Sequence, residues 1–194
     1  MNLADPPLFR MQDSPTCGKE IMLLQYLNEH YTTEIVSGVL VPLLTQDSPI
    51  SLRALDWTVV NWSKQFNVVC SSIVPGKMTN IYRAYQSSLS FWKRKYFDPF
   101  RRKHPIEFTC GGVLYKSTLG QANFALFTYN TGIFSYVMSH IDEIEENMNS
   151  ISRALREEKR ISQKHGIPRK RRPLTLTTSH HACIVYETPM CVTV

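Results

Sequence analysis

Seven apolar residues, Phe134, Val137, Ile141, Ile144, Met148, Ile151 and Leu155, recur at steps of 3 and 4 in unbroken alternation. Only an α-helix gathers residues so spaced onto one stripe, because a turn closes every 3.6 residues. The stripe has to be covered. A helix closing a bundle would cover it with the rest of the chain, and self-association would cover it with a second copy. Three heptads are short for a coiled coil, so the core-closing helix is the first reading and self-association the second.

The same periodicity places the other helices. Ile21, Leu24 and Leu27 predict a helix from Lys19 to about His30, and a short one from Thr33 to Val41 should stop at Pro42. Ser48-Pro49 reads as an N-cap followed by proline, and Leu52, Leu55, Val59, Trp62 and Phe66 form the stripe behind it. Ile81, Tyr85, Leu89, Trp92 and Tyr96 predict a helix from about Thr79 to Tyr96, ended by Asp98-Pro99. Thr118-x-x-Gln121 is a capping box for a helix running to about Asn130, which Thr131-Gly132 breaks. Helix, break and following helix superficially resemble a helix-turn-helix, yet Ile133, Phe134 and Tyr136 are poor base readers.

Strand signals are few. Val68 to Ile73 is β-branched and meets a turn at Pro75-Gly76, while Ile106–Thr109 and Val113–Lys116 flank Cys110-Gly111-Gly112 as a hairpin would. Ala182–Glu187 and Cys191–Val194 read as short terminal strands. The expectation is a single, predominantly helical α+β domain over 19–162 with a small β-hairpin or sheet. An irregular N-terminal arm (1–18) precedes it and a basic C-terminal arm (163–194) follows.

Charge is unevenly spread. Residues 1–150 hold 13 basic and 13 acidic side chains, whereas 151–194 hold nine basic and three acidic, so the net +6 belongs to the last quarter. Two clusters stand out. Lys93, Arg94 and Lys95, on the last turn of the Ile81 helix, and Arg101, Arg102 and Lys103, just beyond it, surround aromatic residues in a basic elbow, and Arg169, Lys170, Arg171 and Arg172 lie between prolines in the arm. Both suit a polyanion: the cations would neutralise phosphates while Tyr96, Phe97 or Phe100 stacks on unpaired bases. The plainer reading buries the aromatics and leaves a solvated rim, paired with Asp142, Glu143, Glu145 and Glu146.

Other chemistry finds little support. There is no G-x-S-x-G, no phosphate-cradling glycine loop and no H-E-x-x-H, so a non-enzymatic protein without cofactor is expected. His180, His181, Cys183 and Cys191 are zinc-ligand types without a second pair at finger-like spacing, so no metal is assigned. Five scattered cysteines and a start without a signal peptide suggest reduced thiols. No apolar run approaches the roughly 18 residues of a membrane span.

Several segments resemble a conserved, functionally uncharacterised protein family of the nucleocytoplasmic large DNA viruses, the giant-virus relatives of phycodnaviruses and mimiviruses. They are Ser48–Trp57, Lys95–Arg102, Thr118–Phe124 and Arg169–Arg172 with the terminal strand beyond, in that order. The resemblance implies a viral origin and a place in the virus factory, the nucleus or the virion; it carries no activity and no site residues. The expectation is a non-enzymatic viral protein that grips nucleic acid, or another polyanion, without sequence preference. The alternative is a virion structural protein, a minor capsid or scaffold component, using the same cations on an acidic viral protein and the 134–155 stripe for assembly.

Overall fold

One helix of this chain is apolar on nearly every side, and a helix of that kind has to be surrounded. It covers Leu119–Asn130, and nine of its 12 residues are buried. The computed structural model describes residues 8–164. In chain order its elements are strand β1 (Phe9–Met11), helices α1 (Gly18–His30), α2 (33–45) and α3 (52–66), strands β2 (Val69–Ser71) and β3 (Met78–Asn80), helix α4 (Ile81–Trp92), strands β4 (Pro105–Cys110) and β5 (Val113–Thr118), and helices α5 (Leu119–Asn130), α6 (Ile133–Ser139) and α7 (Ile141–Lys164). This is the mostly helical α+β architecture that the sequence predicts.

Neighbours close on α5 through specific contacts. Tyr31, just past α1, donates its hydroxyl to the Ala122 carbonyl at 2.8 Å. Gly120 lets the chain pass close by, since a Cβ there would stand 2.8 Å from the Asp98 carbonyl oxygen. At its start Thr118 accepts from the Gln121 N–H at 3.2 Å, as a capping box requires, but the Gln121 side chain accepts from Ser117 rather than returning to Thr118.

The larger sheet is antiparallel in the order β1-β4-β5. Phe9 lies opposite Phe108 and Phe108 opposite Tyr115, so three rings pack across one face at centroid distances of 5.1 and 5.6 Å. The arm expected to be irregular therefore supplies a strand. Phe9 is fully buried, and Asn28 of α1 binds its backbone N–H and carbonyl at 2.7 and 3.3 Å. Gly111 and Gly112 turn the β4–β5 hairpin with φ of 57° and 79°, where both central residues need positive φ.

Helix limits differ from the pattern reading where the backbone found another solution. Pro42 does not end α2. The five residues Val36–Leu40 widen into a π turn, and the Val41 N–H reaches the Val36 carbonyl. The donor that proline lacks thus falls at the start of a fresh α segment, where it costs little. Helix α3 is capped by Ser51, which accepts from the Ala54 N–H at 3.1 Å, while Ser48 only closes a turn onto the Ile50 N–H. Its stripe is buried at Leu55, Val59 and Trp62, but Phe66 is exposed. Helix α1 buries Glu20, Leu23 and Leu27 and leaves Ile21 outside, one residue off the expected stripe.

The seam at 134–155 is two helices. His140, at φ −128°, separates α6 from α7, with its ring stacked on Tyr136 and its Nδ1 2.9 Å from the Tyr136 carbonyl. Val137, Ile144 and Met148 are nevertheless buried in the chain's own fold, so these three of the seven stripe residues serve as core, while Phe134, Ile141 and Ile151 are half-buried. Leu155 is exposed and belongs to a second unit, residues 155–194, whose described part is the end of α7 with an Arg160–Glu157 pair at 3.1 Å. The terminal strands, Arg169 to Arg172 and the His180, His181, Cys183 and Cys191 set lie outside the described residues.

Gly132, at φ +72°, joins α5 to α6, and a Cβ there would fall 2.1 Å from the Ser71 carbonyl oxygen. Gly111 has a similar φ with nothing within 4 Å of a Cβ. Gly111→Ala should therefore cost only the left-handed penalty of about 1–2 kcal/mol, and Gly132→Ala should cost clearly more. Urea unfolding of the two variants side by side checks the difference.

Candidate nucleic-acid interface

The elbow exists because α4 stops before its apolar stripe does. Lys93 takes φ +66° and ends the helix at Trp92, four residues short of the expected end at Tyr96. A single 3-10 turn, Arg94–Tyr96, then redirects the chain. Tyr96 still reaches the core at 0% exposure, and Phe97 (2%) packs among the rings of Tyr85, Phe124 and Phe127. Neither ring can stack on a base. Phe100 is 53% exposed and can.

One carboxylate anchors both ends of this loop. Glu20 is buried in the first turn of α1, where a helix N-terminus favours negative charge. It accepts from the Tyr96 hydroxyl at 2.9 Å and from the Thr16 N–H at 2.7 Å, and His104 Nδ1 lies 3.3 Å away. Burial alone would raise its pKa. The Thr16 and Tyr96 hydrogen bonds and the charge of His104 outweigh that and hold it at about 2. Cys17 Sγ lies 3.1 Å from the Tyr96 oxygen, which lowers the thiol's pKa. Asn123 of α5 adds a hydrogen bond to the Tyr96 carbonyl at 2.9 Å. The pattern reading missed this cluster. Its signal was Glu three positions after a helix cap; the cap is Cys17, an unusual residue there.

With the aromatics drawn inward, the cations are left at the surface. Lys93, Arg94, Arg102 and Lys103 are exposed, and Lys95 and Arg101 are half-buried. Lys95 Nζ lies 4.3 Å from the Tyr96 ring centroid. The ion pairs among the described residues are His104–Glu20 and Arg160–Glu157, so the elbow cations are not paired within 4.0 Å with Asp142, Glu143, Glu145 or Glu146 as the rim reading suggested. Arg94 does share a cavity of about 200 Å³ with Asp56 and Asp98. Burial and the neighbouring Asp98 charge push Asp56 up to about 6, against the pull of Arg94. Beside Phe100 runs a second, larger groove of about 880 Å³ that also receives Arg101, Arg102 and, from β5, Lys116. Lys116 is a cation the charge-run reading passed over, because it stands alone in sequence.

No helix among the described residues is long and apolar enough to cross a membrane, and no group of three or more His, Cys, Asp or Glu side chains is placed to hold a metal ion there.

Against this geometry stand the comparisons with known proteins. Residues 16–173 match the model of a family described as "Family of unknown function (DUF7197)". An uncharacterized protein of Acanthamoeba polyphaga mimivirus is 30% identical over 158 residues, covering 77% of this chain. The match spans 61% of that relative, so the chain accounts for about three-fifths of its length. No solved structure matches.

Two outcomes test the electrostatics. Glu20 titrates below its ordinary 4.5, so it contributes stability present above pH 4.5 and lost as pH falls through about 2. Glu20→Gln should cost at least about 2 kcal/mol at pH 7, with the gap to wild type closing below pH 4.5 in urea titrations. Asp56 titrates above its ordinary 3.8, so its ionisation opposes folding. Asp56→Asn should raise the melting temperature at pH 7 to 8, and the gain should vanish as pH falls from about 6 towards 3.8.

Proposed function

The chain belongs to this family of unknown function, represented in a giant virus, and on that footing we propose that it binds nucleic acid without sequence preference and performs no catalysis. The contacts are electrostatic: Lys93, Arg94, Lys95, Arg101, Arg102 and Lys103 of the elbow, joined by Arg169, Lys170, Arg171 and Arg172 of the C-terminal arm, meet phosphates. The observation that carries this reading is the separation of roles within residues 92–104. Trp92, Tyr96 and Phe97 are spent on the core, while no elbow cation is paired with a carboxylate within 4.0 Å among the described residues. A charge cluster on a firmly anchored turn costs stability through self-repulsion and gains its use from a partner of opposite sign.

Phe100 narrows the class of partner. An exposed ring set among cations suits a ligand that offers both phosphate and a flat apolar face, which nucleic acid does and a carboxylate-rich protein surface does not. Assembly through the 134–155 stripe, the virion-structural alternative, has no comparable support, because Val137, Ile144 and Met148 are buried.

Binding should weaken steeply with salt. Part engagement of the ten cations predicts a slope of log K against log salt of about −4 to −6 on duplex DNA. Reversing two exposed charges, Arg102→Glu with Lys103→Glu, should flatten it by about 2. An affinity that stays level from low to moderate salt removes the proposal.

A further inference from the structure

We propose that the groove beside the elbow is a site for single-stranded nucleic acid, in which Arg101, Arg102 and Lys116 hold the phosphodiester and Phe100 stacks on an unpaired base. It rests on the reading of the elbow as a nucleic-acid surface and specifies which form of nucleic acid that surface takes.

The groove of about 880 Å³ runs between the segment leading into α3, the turn at 99–102 and the end of β5. Its volume is that of a site for a small ligand, enough for a nucleotide or two of one strand. A duplex presents a convex rod and cannot enter. Three cations line the groove against one carboxylate, Glu145, leaving two net positive charges in a concavity, where walls of low dielectric focus the field. Ser48 and Ser51 also line it. Their oxygens accept from the N–H groups of Ile50 and Ala54, so each hydroxyl proton remains to donate outward.

Two features show the groove to be incomplete by itself. Arg101 Nε is shut off from solvent and has no acceptor among the described residues. A buried donor in that condition is costly, and the cost is relieved when the Arg101 side chain shifts to meet a ligand oxygen and brings Nε to an acceptor. Phe100 is the second feature. Its backbone N–H donates to Asp98 Oδ1 at 2.9 Å, which fixes the turn, and its half-exposed ring borders both the large groove and the Asp56 cavity. No other ring among the described residues stacks on it, although Phe97, three positions earlier, meets three. An unpaired base offers the missing face. Bases inside a duplex are already stacked on one another, so the ring discriminates between the two forms.

The test is fluorescence polarisation of the full chain with labelled oligothymidylate, oligouridylate and a duplex of equal length, at moderate salt. Both single strands should bind more tightly than the duplex. Phe100→Leu, which keeps apolar bulk and loses the π face, should weaken single-strand binding about five- to a hundredfold and leave the duplex unchanged. Phe100→Trp should restore single-strand binding, and Lys116→Glu should weaken it. Equal affinity for strand and duplex, with Phe100→Leu without effect, overturns the groove proposal and leaves the elbow reading standing. Preference for duplex overturns it as well. Absence of binding to any probe overturns the elbow reading itself, and the groove with it.

Discussion

The buried carboxylate of Glu20 determines where the elbow stands. It sits in the first turn of α1, yet its partners come from the far side of α4: the Tyr96 hydroxyl at the start of the loop and His104 at its end. A loop whose two ends meet one charged group has little freedom left, and the Tyr96 carbonyl bond to Asn123 and the Phe97 ring cluster remove most of the remainder. The cations before and within this loop are not placed individually. The two triplets, 93–95 and 101–103, are left at the surface because Tyr96 and Phe97 between them have been pulled in. Positive φ at Lys93 and His104 marks the two points where the backbone bends to permit this.

Electrostatics around the elbow then follow from geometry. Six positive charges on one short stretch would repel one another and weaken the fold. Asp98, whose carboxylate is occupied by the Phe100 N–H, and Asp56, mostly ionised at neutral pH although it titrates at about 6, offset part of that without consuming the exposed groups. The compensation lies beneath the surface, around Arg94. The groove side carries only Glu145 against three cations. Attraction for an anion is therefore concentrated on the Phe100 side of the elbow, and this gives the surface a direction as well as a sign.

Much of this architecture could be read from local rules, and the failures have physical reasons. The Gly111-Gly112 hairpin, the Thr118 cap and the break at Gly132 all depend on a few adjacent residues, and all stand where the sequence puts them. Pro42 misled because a π turn upstream removes the conflict that a proline normally creates. The stripe of α4 ran on to Tyr96 because a 3-10 turn delivers that ring to the core as well as a helix would. The partners of Phe9 and Glu20 were out of reach, since Phe108, Tyr96 and His104 lie far along the chain. The heptad seam was the most regular pattern, yet regularity could not tell which of its residues are buried at home; only the fold shows that Val137, Ile144 and Met148 are. Of the site, the cations were legible as a cluster. The groove was not, because Lys116 and Ser51 join it only through tertiary folding.

The central claim is that the elbow and its groove, rather than diffuse positive charge, make the contact. Lysine acetylation footprinting, read residue by residue by mass spectrometry with and without an oligothymidylate, tests it most directly. Lys93, Lys95, Lys103 and Lys116 should lose reactivity in the complex, while the exposed Lys64 and Lys77 keep theirs. Protection spread evenly over all of them, or confined to residues outside 93–116, would contradict the account.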